Sequence, residues 1–247
     1  MLRFVNYTIH VVRNGGVTMA EDLKFRHELK HYINYSDYLA IKSRLTTIMH
    51  IDKNANSNNE YRIRSLYFDN VYDKALMEKV IGLPKRDKFR IRFYNDNHDF
   101  IRLEKKSKIR GLCLKDSEKI TKEECLKIIN GDIEFLKDSG KKLFVDLYSQ
   151  MKGNLLRPKT IVDYTREAYI YPIGNVRITF DKSIRTGLNC INMFDDNLPT
   201  IETIDHKFIV LEVKFDEFMP QVIHNIVQVK ERRATSVSKY EAARIYG

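Results

Sequence analysis

The chain of 247 residues is 43% hydrophobic, rich in Tyr and Phe and without Trp, and carries 43 Lys and Arg against 33 Asp and Glu, a formal charge of +10. This is the composition of a folded protein of one or two domains, and its charge favours anionic partners such as nucleic acid, phosphates or an acidic membrane surface. No apolar run approaches the roughly 20 residues that span a bilayer, and Cys113, Cys125 and Cys190 fit neither a disulfide framework nor a CxxC metal site, so a reducing, cytoplasmic setting is expected.

Residues 1–18 do not read as a signal peptide, because Asn6, Thr8, His10, Arg13 and Asn14 interrupt any apolar core. They are expected to be a disordered or spurious extension, with Met19 as the true start and 19–247 as a single domain. Lys24 to Tyr35 alternates as a strand, with Arg26, Glu28 and Lys30 on one face and Phe25, His27, Leu29 and His31 on the other. A helix is expected from Ser36-Asp37 to about Ile51, and an Asn-rich loop from Lys53 to Asn59. Tyr61 to Asp69 reads as a strand bearing Arg62 and Arg64, and Asn70 to Gly82 as a helix stopped by Gly82-Leu83-Pro84. Lys88 to Lys108 is a hairpin about the polar turn Asn95 to Asp99. One face holds Phe89, Ile91, Phe93, Ile101 and Leu103; the other holds Lys88, Arg90, Arg92, Arg102, Glu104, Lys106 and Lys108.

After the tight turn Arg110-Gly111 comes a strand, Leu112 to Ile120. Thr121-Lys122-Glu123-Glu124 is a capping box for a helix to about Asn130, and Asp132 to Leu156 is mostly helical with a weak point at Ser139-Gly140. Lys159 to Tyr171 and Asn175 to Lys182 form a second hairpin bearing Arg166, Arg177 and Asp181, followed by a loop-rich stretch from Ser183 to Thr203. Lys207 to Asp216 alternates as a strand, Glu217 to Val229 is an amphipathic helix, Arg232 to Val237 is extended, and Ser238 to Tyr246 is a short helix with Lys239 near its start.

A half-wet antiparallel sheet is common, but here the wet faces repeat one sign of charge. Closing about eight antiparallel strands into a barrel with charged faces inward and apolar faces outward, under a coat of helices, satisfies the pattern. The expected fold is therefore α+β: a closed antiparallel barrel with helices on its outside. Such a lumen focuses a positive field. Its arginines match phosphate oxygens in bidentate geometry, and its sparse carboxylates, Glu28, Glu104 and Glu212, suit Mg2+ or Mn2+ shared with phosphates.

Several motifs resemble one family. Leu103-Glu104-Lys105-Lys106 and Leu211-Glu212-Val213-Lys214 are similar to the E-x-K signatures of triphosphate tunnel metalloenzymes, the CYTH-like fold. Within that superfamily, the order of Arg26-His27-Glu28-Leu29-Lys30, Ser65 to Asp69, Arg90 to Tyr94, Tyr164 to Tyr169, Arg177 to Asp181 and Ser238-Lys239-Tyr240 resembles the vacuolar transporter chaperone (VTC) catalytic domain, a polyphosphate polymerase. The resemblance implies that Lys30, Arg90, Arg92, Lys106, Arg166, Arg177 and Lys214 grip a triphosphate or a growing chain, with Lys239 adding a contact. Arg64 is implied either there or at the entrance. It implies Glu212 as principal ligand of Mn2+ or Mg2+, with Glu28 and Glu104 as further ligands or as partners that hold the basic residues. A regulatory domain and membrane helices of the eukaryotic complex have no counterpart in these motifs, so a stand-alone form without membrane translocation is expected.

The implied partners are ATP and polyphosphate, and no specific nucleic acid. A polymerase needs no general base, because its nucleophile is an ionised phosphate oxygen; a hydrolase needs an oriented water and a base, such as one of the glutamates. An inorganic or nucleoside triphosphatase, a nucleotide cyclase and a catalytically weak polyphosphate-binding module stay open as alternatives. No phosphate-cradling G-x-x-x-x-G-K-[ST] or G-x-G-x-x-G occurs, nor a G-x-S-x-G elbow. His27 and His31 read as packing residues rather than zinc ligands. Tyr61, Tyr67 and Tyr94 interleave with Arg as in single-strand nucleic-acid binders, a reading that calls for a basic outer groove, whereas the tunnel hides its charge inside.

Overall fold

The computed structural model describes residues 25–228 and 237–246. The expectations for residues 1–18, Met19, Lys24 and the segment from Arg232 to Ser236 lie outside the described residues. In chain order the elements are β1 (His27–Ile33), α1 (Tyr35–Leu45), β2 (His50–Ile51), β3 (Glu60–Asp69), α2 (Lys74–Ile81), β4 (Lys85–Tyr94), β5 (Asn97–Ile109), β6 (Leu112–Ile120), α3 (Lys122–Ile129), α4 (Glu134–Lys137) and α5 (Lys142–Gly153). They continue with β7 (Arg157–Tyr171), a 3-10 turn (Ile173–Asn175), β8 (Val176–Thr186), β9 (Ile201–Glu202), β10 (Ile209–Phe215), α6 (Gln221–Val227) and α7 (Lys239–Arg244).

Local chemistry explains most boundaries. Asn34, rather than Ser36, caps α1: its side chain accepts from Asp37 N at 2.8 Å and Asp37 returns the bond to Asn34 N. The helix ends at Leu45, short of the expected Ile51, where the Thr46 and Thr47 hydroxyls donate back to the carbonyls of Ser43 and Arg44. The chain then turns extended, and His50 and Ile51 pair with Ile170 and Tyr169 of β7. Gly82 ends α2 at φ +79°. The β4–β5 turn is tighter than expected, with Asn95 and Asp96 both at positive φ, the geometry that matches strand twist in a two-residue hairpin. The long helical stretch breaks at Ser139-Gly140 as expected. β8 runs past Lys182 to Thr186, where β9 pairs with it.

The sheet is antiparallel throughout, in the order β1-β10-β8-β7-β3-β4-β5-β6, with β2 on β7 and β9 on β8. It curls until its two edges approach, but a closed barrel is not what the ladder shows. Among the described residues, β1 and β6 meet through one bridge, Arg26 with Cys113, with hydrogen bonds of 2.9 and 3.0 Å. Beyond it, side chains take over the seam: Lys106 of β5 reaches Glu28 of β1 at 2.5 Å.

Two apolar layers cover the convex face. Leu66, Phe68, Phe89, Ile91, Phe93, Ile101 and Leu103 pack under α3, α4 and α5 through Cys125, Ile128, Leu136, Phe144 and Leu147. Ile178, Phe180, Leu211 and Val213 pack under α1 and α6 through Ile41, Leu45 and Ile223. A third cluster lies on the concave face, where Tyr61, Ile63, Tyr67, Val162, Tyr164 and Val210 meet Val237, Tyr240 and Ala243. Not every helix is therefore outside: α7 enters the concavity, because its one turn and a half carries Lys239, Tyr240 and Ala243 on faces that find only inward-pointing partners. Among the described residues no helix is long and apolar enough to cross a membrane.

Phe144 is fully buried in the first outer layer, so Phe144→Ala is expected to lower the unfolding free energy by about 3–5 kcal/mol in urea titrations. Tyr72, 79% exposed, serves as the contrast, and Tyr72→Ala is expected to stay within about 0.5 kcal/mol of the parent.

Candidate functional site

The concave face encloses a cavity of about 1000 Å³. Period-two alternation delivers its wall: with Phe89, Ile91 and Phe93 committed to the outer layer, Lys88, Arg90 and Arg92 must point inward, and Lys106 follows from Ile101 and Leu103 in the same way. Of the residues singled out from the sequence, Glu28, Lys30, Arg90, Arg92, Lys106, Arg166, Arg177, Glu212, Lys214 and Lys239 line this one cavity. Lysines and arginines far outnumber carboxylates there.

Among the described residues, the site residues of the wall fall into three ion-pair groups. In the first, Lys30 lies 3.1 Å from Glu28 and 3.7 Å from Glu212, and Lys214 contacts Glu212 and sits 3.9 Å from Glu28. The β1–β10 register causes this arrangement, since Glu28 faces Lys214 and Lys30 faces Glu212 in a crossed square. Lys239 extends it to Asp181 at 2.5 Å and to Glu212 at 3.8 Å, and Asp181 accepts a bidentate pair from Arg166 at 2.6 and 2.8 Å. In the second group, Glu104 takes Arg90 at 2.8 Å, Arg92 at 2.8 Å and Lys115 at 2.6 Å. In the third, Arg177 donates to Asp52 at 2.5 Å and to the Tyr61 hydroxyl at 2.7 Å.

Burial and the neighbouring Glu212 would raise the pKa of Glu28, but Lys30, Lys106 and Lys214 together hold it well below the usual carboxylate range. Burial works against ionisation of Glu104 and Glu212 as well. It is outweighed by Arg92, Arg90 and Lys115 at the first, and by Lys214, Lys30 and Lys239 at the second. These carboxylates are therefore anions and poor proton acceptors. Lys88 is the opposite case. Burial, with Lys30, Lys79 and Arg86 around it, pushes its pKa down to about 7 against the pull of Glu241. Among the described residues its ammonium reaches the Ser238 hydroxyl at 3.3 Å and lies 5.1 Å from the Tyr240 ring.

Arg64 is a correction. It lies on the outer face of β3 together with Leu66 and Phe68, is 2% exposed, and bonds to Asp163 at 2.9 Å and to the carbonyls of Met193 and Asp195. Alternation sorts β3 into two faces, and the apolar Leu66 and Phe68 carry Arg62 and Arg64 outward with them, leaving Tyr61 and Tyr67 in the cavity wall. Of the three glutamates, Glu28 and Glu212 come together on shared lysines, whereas Glu104 holds Arg90, Arg92 and Lys115, the second of the two roles expected for it. Among the described residues no group of three His, Cys, Asp or Glu is placed to hold a metal. The Glu28–Glu212 pair is an oxygen donor set suited to a hard divalent cation only if phosphate oxygens and water supply the remaining ligands. His27 stacks on Phe215 at 4.9 Å, as a packing residue does.

Sequence reading left out Lys88, Lys115, Asp181 and Asp52 as site residues. The first was within reach, since it shares the alternation of Arg90 and Arg92. Lys115 sits in the poorly alternating Leu112-Cys113-Leu114-Lys115, and Asp52 follows a two-residue strand with no signal of its own.

A family model described as the VTC domain matches residues 25–245. No curated protein matches the chain. Among solved structures, the PH1819 protein of Pyrococcus horikoshii OT3 aligns at 16% identity over 82% of this chain and 84% of its own, with a TM-score of 0.39. A protein of Bacillus halodurans described as a candidate adenylate cyclase aligns at 10% identity over 81% and 86%, with a TM-score of 0.46.

In an NMR titration of 13C-methylated lysines, Lys88 is expected to titrate near pH 7, far below the roughly 10.4 of exposed lysines, and the signal is expected to vanish in Lys88→Arg. A midpoint in the ordinary lysine range would show that burial and the charges of Lys30, Lys79 and Arg86 do not reach it.

Proposed function

The chain belongs to the VTC domain family, and on that footing we propose that it is a metal-dependent polyphosphate polymerase that moves the γ-phosphoryl group of ATP onto a phosphate chain inside a basic tunnel. The observation that carries the reading is the wall itself: Lys30, Arg90, Arg92, Lys106, Arg166, Arg177 and Lys214 converge on one enclosed space. We take the curled sheet to work as a closed tunnel, sealed by the Arg26–Cys113 bridge and the Lys106–Glu28 pair.

The residues present then have distinct tasks. Arg90, Arg92 and Arg166 are oriented by Glu104 and Asp181, which leaves other guanidinium donors to grip phosphate oxygens. Lys30, Lys106 and Lys239 offset the charge that spreads over the transferring group. Mn2+ or Mg2+, held by Glu212 with Glu28 and the phosphates, would supply Lewis-acid charge neutralisation when bound. No protein base is required, because the acceptor phosphate is already ionised. That favours transfer over hydrolysis here, since Glu28, Glu104 and Glu212 are all clamped by cations and held below the usual carboxylate range. A cytoplasmic setting, where ATP is abundant, fits the three free cysteines.

The test incubates pure protein with ATP and Mn2+ and resolves the products. Long phosphate chains with ADP are expected. Orthophosphate alone would replace the reading with hydrolysis, and tight chain binding without turnover with a sensor. Arg90→Ala or Arg166→Ala is expected to cost about 10²–10³-fold in rate. Metal-dependent turnover that survives Glu212→Ala would remove Glu212 from the metal site.

A further inference from the structure

One end of the cavity does not match a site for phosphates alone. Where the β4–β5 turn closes, the inward face of the hairpin changes from charged to aromatic. Tyr94 and Phe100 both line the cavity with ring centroids 6.3 Å apart, and Tyr61 stands 5.8 Å from Tyr94 on the other side. Phe100 is 44% exposed, an apolar ring left open to water on a strand whose inward positions otherwise run Arg102, Glu104, Lys106 and Lys108. Nothing in the packing of β5 calls for it, since Ile101 and Leu103 fill the outer layer.

The groups around the rings have a second regularity. Arg92 and Arg102 face each other directly across the paired strands, an arrangement that costs stability for like charges. Each guanidinium lies over an aromatic face, Arg92 at 5.1 Å from the Tyr94 ring and Arg102 at 4.9 Å from the Phe100 ring. Arg92 Nε is buried with no hydrogen-bond partner among the described residues. Beside the rings, Asn95 and Asn97 also line the cavity, and their side-chain oxygens accept from Arg62 N and Asp99 N. That fixes the orientation of both amides and leaves the amino groups as donors at the rim. Aromatic faces backed by guanidinium, with amide donors at their edge, are the chemistry that holds a nucleobase.

We propose that Tyr94 and Phe100, with Asn95 and Asn97, form a stacking subsite for the base of a nucleoside triphosphate whose phosphates run inward over Arg92 and Arg90. The proposal rests on the reading of the cavity as a triphosphate site and adds to it a preference for nucleotide over inorganic triphosphate, with a direction of entry. It makes the β4–β5 turn the nucleotide mouth, and leaves the end near Lys88 and α7, where the Tyr67 and Tyr240 rings are buried, to the phosphates.

The experiment measures, by calorimetry, binding of a non-hydrolysable ATP analogue and of inorganic triphosphate to the parent, Phe100→Ala and Phe100→Tyr. Phe100→Ala is expected to weaken the analogue about tenfold and to leave inorganic triphosphate unchanged, while Phe100→Tyr keeps both affinities. Equal weakening of both ligands, or no change in either, would overturn the base subsite. If the parent binds inorganic triphosphate but Phe100→Ala leaves the analogue unaffected, the base subsite alone is wrong; if the parent binds neither ligand, the triphosphate reading has failed and the subsite falls with it. Because Phe100 is half exposed, thermal melts of the variants are expected to match the parent, which separates loss of stacking from loss of fold.

Discussion

The structure depends on the crossed square of Glu28, Lys30, Glu212 and Lys214 between β1 and β10. Turning the charged faces of a sheet inward takes ammonium and guanidinium groups out of bulk water, and an unpaired charge in that position is strongly destabilising. The square, its extension through Lys239, Asp181 and Arg166, and the separate group about Glu104 supply the counter-charge. They do so incompletely: the carboxylates are saturated with cations while cations remain in excess. The wall is thus paired enough to fold and still turns an excess of positive charge toward the cavity, which concentrates a positive field there.

Folding stability comes from elsewhere. The two outer layers, under α3 to α5 and under α1 and α6, hold the fully buried Phe93, Phe144, Phe180, Leu66 and Ile91. This division frees the concave face from packing duty, so that it can carry polar groups that a conventional core would not tolerate. The exception is the apolar cluster about Tyr67, Tyr164 and Tyr240, where α7 seats itself inside. Tyr240 donates to Asp69 at 2.6 Å, and Asp69 also accepts from the Ala75 and Leu76 amides at the start of α2. Lys79 with Glu241 and Arg244 with Asp73 tie the same two helices together. The Lys239 contribution to the wall is therefore positioned by contacts made outside the charged network.

The same carboxylates bear on reaction class. A group held far below its ordinary pKa and surrounded by donors orients cations well and accepts protons badly. Glu104 orients Arg90 and Arg92, Asp181 orients Arg166, and Glu28 and Glu212 are brought together by Lys30 and Lys214. Chemistry that runs on charge neutralisation and alignment suits this inventory, and chemistry that must deprotonate water suits it less. Aromatic rings line the cavity at both ends, but Tyr67, Tyr164 and Tyr240 are buried in the inner cluster, whereas Phe100 beside Tyr94 is left open to water.

Alternation in Lys88 to Lys108 determined, from the sequence by itself, that Arg90, Arg92 and Lys106 share one face and Phe89, Ile91 and Leu103 the other, and the same reading holds for Glu28 with Lys30 and for Glu212 with Lys214. Local cues likewise determined the stop at Gly82, the capping box at Thr121 and the break at Ser139-Gly140. These features follow from a two-residue period or from one turn of chain, and neighbours in sequence specify both. What only the tertiary structure decided was non-local. The side of β3 on which Arg64 lies depends on where Leu66 and Phe68 find an apolar layer. The isolation of Glu104 from Glu28 and Glu212 depends on the cations that β4 and β6 bring to it. The place of α7 depends on an inner surface that exists only after the sheet has curled. A strand pattern defines two faces, but which face becomes the inside, and which charges then meet across it, is set by pairings between residues far apart in the chain.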